Sequence, residues 1–376
     1  MPNISFIDLA AQRKRIADKI DTAVLEVVHG GQYIMGPQID KLERQLTAFC
    51  GTKHCISCSS GTDALVLVLM AKGVRTGQAI FVPAFTFIAT AEVVSWLGAV
   101  PFFVDVREDT FNIDPDSLEQ AITDAKEQGL QPSGIISVDL FGQPADYPRI
   151  MEIAQRNGLW VLADAAQSFG AKLDGKPVGT WGIATATSFF PAKPLGCYGD
   201  GGAVFTDDDE MAEVIDSLRI HGKGHHQYDN IRVGMNARFD TLQAAVLIEK
   251  LNIFPDELNA RQGIAERYYA GFDGKATVPR LMAGATSSWA QYTLRLPEHV
   301  DRSAFIAHCR AAGVPTAIYY PIPLSQQQAY RHYPTVRGGV PVSERLSRSV
   351  VSLPMHPYLE PKLQDYIIET AVRRLS

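Results

Sequence analysis

Uninterrupted apolar runs of strand length recur along the first two-thirds of the chain, and stretches with helical spacing separate them. The runs are HCISC, AIFVPAF, VPFFVDV, GIISVDLFG, LWVLADAAQ, ATSFFP and GGAVFTDD. An N-terminal helix over Ala11 to His29 precedes them, and TDALVLVLMAKG, TFIATAEVVSWLG, Asp116 to Glu127 and PRIMEIAQRNG lie between them. A strand without polar alternation needs cover on both faces. Alternation with helices supplies that cover in a mostly parallel sheet. The expected fold is therefore an α/β domain. After Asp240 the pattern changes: one long helical stretch with a break at Pro255, then a strand (WAQYTLRLPE), a helix (DRSAFIAHCRAAG), a strand (VPTAIYYP) and a final helix (PKLQDYIIETAVRRL). This reads as a smaller C-terminal α+β domain. The expected division is 1–240 for the large unit and 241–376 for the connecting helix and small unit.

The 376 residues are 46% hydrophobic and 20% charged, the make-up of a globular protein with a sizeable core. A net charge of −6 argues against a broad surface for nucleic acid or anionic lipid. The stretch from Ala79 to Val104 has the length to span a bilayer, but Pro83, Glu92, Gly98 and Pro101 punctuate it as strand, helix and strand. The first residues lack an apolar segment behind basic ones, so no secretory signal is read and a cytoplasmic location is expected. Five cysteines fit reduced thiols. Cys50, Cys55 and Cys58 have the spacing of some iron–sulfur sites. HCISCSS runs as a strand into a helix, however, so these are read as structural thiols and no metal is expected.

The chemistry-bearing residues fall at strand ends. In SSGTDAL a strand gives way to a helix whose free N–H groups favour an anion, and Gly61 lets the backbone approach it closely. An ordinary helix cap explains the same residues. Asp164 ends the apolar run LWVLAD, where a carboxylate needs a cationic partner such as a protonated ring nitrogen or a salt bridge. Lys193, in SFFPAKPLGCYGDGG, has apolar neighbours that depress an amine pKa and favour condensation with an aldehyde. Pro194 biases it to an extended backbone. Ser188, five residues earlier, is placed to donate to a phosphate, and GDGG lets the chain turn tightly. Phe87 follows another strand end and can stack on a flat ring or fill a core. A phosphate cup, a ring stack, a carboxylate and a lysine in this order are what pyridoxal 5′-phosphate (PLP) requires. The chain lacks the G-x-G-x-x-G of a dinucleotide site between a strand and a helix.

SSGTDAL, ADAAQSFGA and SFFPAKPLGCYGDGGA together resemble the DegT/DnrJ/StrS family of nucleotide-sugar aminotransferases, which have the PLP fold-type I architecture. The likeness runs from FIDLAAQ to LPMHPYL. The last of the three motifs is most similar to the subgroup acting on a UDP-linked 3-keto-2-acetamido hexuronate, in the assembly of cell-surface polysaccharide and O-antigen. The resemblance implies PLP attached to Lys193, Asp164 on the ring nitrogen and Gln167 near the ring hydroxyl. It implies Gly61, Thr62 and Ser188 around the phosphate and Phe87 stacked on the ring. It also implies that Asn236 reaches the phosphate of a second subunit, hence a homodimer with shared active sites. Arg238, Tyr319 and Tyr320 are the implied substrate residues, L-glutamate the amino donor, and a UDP- or dTDP-linked keto sugar the acceptor. The chain departs from the subgroup at Tyr319, where His is usual: tyrosine hydrogen-bonds a carboxylate but cannot pair with it as a cation. Another fold-type I PLP enzyme, or a PLP-binding regulator without turnover, would share the cofactor residues.

Overall fold

The computed structural model describes residues 4–226 and 228–375. The apolar runs assemble into one sheet of β1 (His54–Cys58), β2 (Gln78–Pro83), β3 (Val100–Val104), β4 (Gln131–Val138), β5 (Trp160–Asp164), β8 (Ala184–Ser188) and β9 (Gly202–Thr206). A two-residue hairpin, β6 (Lys172–Leu173) and β7 (Lys176–Pro177), lies between β5 and β8 in the chain. The order across the sheet is β1-β9-β8-β5-β4-β2-β3. Strand β9 runs against both of its neighbours, and the pairs from β8 to β3 are parallel. Strands β2, β3, β5 and β9 are buried along nearly their whole length, as strands covered on both faces must be. A second, separate apolar core forms around β10 (Tyr292–Arg295), β11 (Val350–Leu353) and the helices Phe254–Phe272, Arg302–Ala311 and Pro361–Val372. Ile4 packs into this second core.

Four elements differ from the sequence expectation. The N-terminal helix is two helices, Leu9–Arg15 and Ala17–Gly30, because Ile16 leaves helical geometry (φ −126°, ψ 28°). Ile16 is buried there with Ile20, Val246 and Ile253. A helix unread in the sequence, Pro37–Cys50, starts with proline in its first turn and ends on Gly51 at φ +75°. Its Ile39, Leu42, Leu46 and Cys50 bury one face. The long helical stretch breaks at Asn252–Ile253 rather than at Pro255, which sits in the first turn of Phe254–Phe272, where its missing N–H costs nothing. The expected strand VPTAIYYP is a single bridge, Ala317 to Ser352, and the strand that pairs with β10 is β11. Tyr319 and Tyr320 turn away to pack beside Phe85, Phe111 and Phe141.

The segment Ala79–Val104 that had bilayer-spanning length is β2, the helix Ala89–Trp96 and β3. Among the described residues no helix is long and apolar enough to cross a membrane.

Candidate active site

The carboxyl ends of the parallel strands gather most of the singled-out residues, at the position where open α/β sheets bind ligands. Asp164 closes β5 in register with Val138 of β4 and Ala186 of β8. Its Oδ1 accepts from the Ala166 N–H (3.1 Å) and its Oδ2 from the Thr90 hydroxyl (3.5 Å). Asp164 is buried, and burial raises its carboxyl pKa, against the pull of the Ala166 N–H, Lys193 and Thr90. Lys193 answers it from across the cleft: burial lowers the amine pKa, and the Asp164 charge works to raise it. Each group is the other's electrostatic partner in a site of low dielectric.

Lys193 rides on a closed turn rather than on extended backbone. Its N–H donates to the Phe190 carbonyl (2.8 Å), and the Cys197 N–H donates to that of Phe189 (2.8 Å). Beneath this turn Lys250, almost fully buried, donates to the Gly196 carbonyl (2.6 Å) and lies 4.3 Å from the centre of the Tyr198 ring. Burial depresses the Lys250 pKa to about 8.

Gly61 opens the helix Gly61–Ala71, which is capped by Ser60 accepting from the Asp63 N–H (3.0 Å). Thr62 follows in the first turn. A Cβ on Gly61 would lie 2.6 Å from the Ser188 Cβ and 3.1 Å from its Oγ. The helix start and the Ser188 hydroxyl thus form one small polar cradle that a larger residue would fill. The glycines of GDGG serve close approach rather than a left-handed turn. A Cβ on Gly201 would meet the Phe239 ring at 2.6 Å, and one on Gly202 the Ser60 carbonyl oxygen at 2.3 Å. Since the latter obstacle is backbone, Gly202→Ala is expected to destabilise the protein by about 1–3 kcal/mol and to loosen the cradle, as read by urea denaturation and by phosphate protection. An unchanged denaturation midpoint would contradict it.

Gln167, which is buried, accepts at Oε1 from the Phe141 N–H (2.7 Å), leaving Nε2 to donate to the Tyr320 hydroxyl (3.2 Å). Tyr320 lies 6.2 Å, centroid to centroid, from Phe87, and burial raises its phenol pKa well above the usual range. Phe87 is 54% exposed, so its ring is free to stack rather than spent in a core. Tyr319 packs against Phe6 (6.4 Å) and against Tyr320 (5.8 Å). Arg238 donates to Asn236 Oδ1 (2.9 Å), and Asn236 is exposed. Their segment lies beside the helix start, where the Ser59 N–H donates to the Ala237 carbonyl (3.2 Å). The strand ends therefore bring together Asp164, Lys193, Gln167, Tyr320 and Phe87, with Gly61 and Ser188 forming the cradle and Thr62 next in the first helical turn. Asn236 and Arg238 pair with each other at the surface.

Two residues of the site went unread in the sequence. Thr90 contacts Asp164 from the first turn of the helix Ala89–Trp96. Asp139, the residue after β4, is fully buried, and burial pushes its carboxyl up to about 7 against donors from Ser168, Ala145 and Tyr147. Its signal was present in ISVDL, an apolar run ending in aspartate like that of Asp164.

A polar cradle at a helix start, an exposed aromatic ring, a buried carboxylate and an amine of lowered pKa suit PLP. Comparisons with known proteins agree. Residues 14–372 match the DegT/DnrJ/EryC1/StrS aminotransferase family. The chain is 47% identical to the UDP-2-acetamido-2-deoxy-3-oxo-D-glucuronate aminotransferase of Pseudomonas aeruginosa, over 95% of this chain and 96% of that one. It superposes on a DegT/DnrJ/EryC1/StrS aminotransferase from Brucella abortus with a TM-score of 0.96 and 50% identity, over 98% of each chain. It also superposes on NtdA from Bacillus subtilis with its cofactor PMP bound, with a TM-score of 0.88 and 28% identity, over 100% of this chain and 85% of that one. The chain belongs to the DegT/DnrJ/EryC1/StrS aminotransferase family and is a PLP-dependent transaminase.

Proposed function

We propose that this enzyme moves an amino group from L-glutamate to the ketone of a nucleotide-linked sugar, of the UDP-linked 2-acetamido-3-oxo-hexuronate kind, for cell-surface polysaccharide such as O-antigen. The observation that carries this reading is the near full-length identity to the P. aeruginosa glucuronate aminotransferase, joined to the facing of Lys193 and Asp164 in one cleft. When bound, PLP supplies a carbonyl that takes up the donor's amino group and a cationic ring that accepts the electron pair left at the donor's Cα.

The chain's own residues do the rest. Gly61, Thr62 and Ser188 hold the phosphate at the helix start, where the dipole and free N–H groups favour it. Phe87 covers one ring face, and Gln167 Nε2 donates towards the ring oxygen. Asp164, ionised, keeps a proton on the ring nitrogen. Lys193 anchors the cofactor, then, freed by the donor, takes the proton from Cα as an amine and delivers it on the same face. Tyr319, Tyr320 and Arg238 line the approach for the sugar. With tyrosine at 319, recognition of an acidic sugar rests on hydrogen bonds at that position rather than on an imidazolium.

A homodimer that shares its active sites, working in the cytoplasm, completes the proposal. Exposed apolar side chains at Leu25, Val28, Tyr33, Ile34, Ile231 and Val233 support a buried interface around the N-terminal helices and the 231–233 segment that leads to Asn236.

Purified protein loaded with PLP and mixed with L-glutamate is expected to lose its long-wavelength cofactor absorbance and release 2-oxoglutarate. Adding the UDP-linked keto sugar should restore the absorbance and give an amino sugar. A glutamate-insensitive spectrum would overturn the donor assignment and favour a binder without turnover or another PLP chemistry. Phe87→Ala is expected to weaken PLP binding about tenfold, the worth of one aromatic stack of about 1.4 kcal/mol. Titration of the apoprotein with PLP checks it, and unchanged affinity would return Phe87 to a packing role.

A further inference from the structure

Two turns flank Asp164, and one buried carboxylate fastens them together. The first turn, 139–145, follows β4; the second, 165–168, follows β5. The Asp139 N–H donates to the Asp164 carbonyl (3.0 Å), so the two strand ends are joined at the site itself. The Asp139 carboxylate has no solvent and three donors. Oδ1 takes the Ala145 N–H (2.8 Å) and the Tyr147 hydroxyl (2.8 Å), and Oδ2 takes the Ser168 hydroxyl (2.7 Å). Ser168 is the neighbour of Gln167.

The same pair of turns meets at Gln167. Phe141, held at φ +61°, donates its N–H to Gln167 Oε1. That contact fixes which end of the amide faces the protein and sends Nε2 outward to Tyr320. Gly142, at φ +112°, has no room for a side chain, since a Cβ would lie 2.7 Å from the Trp289 N. Ser288 stitches the turns from behind: its hydroxyl donates to the Gln167 carbonyl (2.6 Å), and its N–H to the Gly142 carbonyl (3.0 Å). The backbone that aims Gln167 is therefore over-determined, and the carboxylate side chain that fastens this lacing is Asp139. A fully buried carboxylate is expensive where an apolar residue would pack as well.

We propose that Asp139 is a positioning residue of the transaminase: by fastening the 139–145 turn to Ser168, it orients the Gln167 amide so that Nε2 is presented as a donor to the cofactor. This rests on the reading above that Gln167 faces the ring oxygen. A donor on that oxygen draws negative charge away from the neighbouring proton on the attached nitrogen. Losing it raises the pH midpoint of the bound cofactor's absorbance.

The test is a double-mutant cycle on the PLP-loaded enzyme, read by that spectroscopic midpoint and by PLP affinity, neither of which needs the sugar. Gln167→Ala, Asp139→Asn and the double variant are titrated beside the parent. Both single variants are expected to raise the midpoint, and the double to raise it no further than Gln167→Ala alone. With L-glutamate as the probe, the half-reaction rate constant should fall on the order of tenfold to a hundredfold in Asp139→Asn, with little change in the half-saturating glutamate concentration. Ser168→Ala, which removes one donor and leaves the charge in place, is the second variant should Asp139→Asn fold poorly, and it should move the midpoint in the same direction. A parent-like midpoint in Gln167→Ala would sink the reading of Gln167 itself. A shifted midpoint in Gln167→Ala with an unshifted one in Asp139→Asn and Ser168→Ala, or with additive shifts in the double variant, would overturn the role of Asp139 alone.

Discussion

Lys193→Ala is expected to lose transamination by about 10⁴-fold or more while still binding PLP. The loss is this large because one side chain carries two roles. In the proposed mechanism it attaches the cofactor, and it moves the Cα proton, a step worth up to about 10⁴ by itself. The environment is built for both. Burial lowers the amine pKa and so favours the neutral form, while the Asp164 charge works against that shift. The backbone turn closed by Lys193 N–H to Phe190 and Cys197 N–H to Phe189 survives the substitution, so the cradle for the phosphate stays formed. Alanine therefore removes the chemistry and leaves the pocket. Treatment with borohydride followed by mass measurement of the intact chain should show cofactor fixed to the parent and none to the variant. Single-turnover mixing with L-glutamate gives the rate. A Lys193→Ala protein that releases 2-oxoglutarate within tenfold of the parent rate would refute the assignment. Lys193→Arg is the companion variant: it keeps a cation opposite Asp164 but offers no neutral amine, so it should be as inactive as alanine.

How much of this was legible without coordinates depended on whether a signal was local. Asp164 and Lys193 each announce themselves within ten residues, one as a carboxylate ending an apolar run, the other as an amine among apolar neighbours before glycines. The strands of the large sheet were legible for the same reason, because burial on both faces leaves no polar alternation. Asp139 carries the same local mark as Asp164, yet its meaning comes from Ser168 and Tyr147, which only folding brings to it. The Gln167–Tyr320 contact spans 153 residues, so no spacing could reveal it. VPTAIYYP had the composition of a strand, but a strand needs a partner along its length. The short VVSL took that place beside β10, and Tyr319 and Tyr320 were released to the cleft. The glycines of GDGG read as a turn signal, whereas their use is room for Ser60 and Phe239, a demand set by residues more than thirty positions away.

Asp164→Asn is expected to slow the half-reaction about 10³-fold, the upper end of what one electrostatic group contributes in a buried site. Asparagine keeps the shape. Its Oδ1 can still accept from the Ala166 N–H, and the β4–β5–β8 register is untouched. What it lacks is the charge. Taking a carboxylate out of water costs several kcal/mol, about the scale of a buried ion without its partner, and the raised pKa of Asp164 registers that cost. In the proposed mechanism a cation delivered by the ligand repays it, which a neutral acceptor at the end of β5 would not allow. Once the charge is gone, neither described neighbour of Asp164 can take its place on the ring nitrogen: the Thr90 hydroxyl is neutral, and Lys193 is of the wrong sign. Proton removal from the donor's Cα then becomes the slow step. The isotope effect with Cα-deuterated glutamate should grow towards its full value in Asp164→Asn, while PLP remains bound and attached to Lys193. Asp164→Ala should be slower still, because it also opens a cavity beside Ala166. If Asp164→Asn turns over within tenfold of the parent with an unchanged isotope effect, the carboxylate serves the β5 turn rather than the ring, and the electron-withdrawing partner must be sought elsewhere in the cleft.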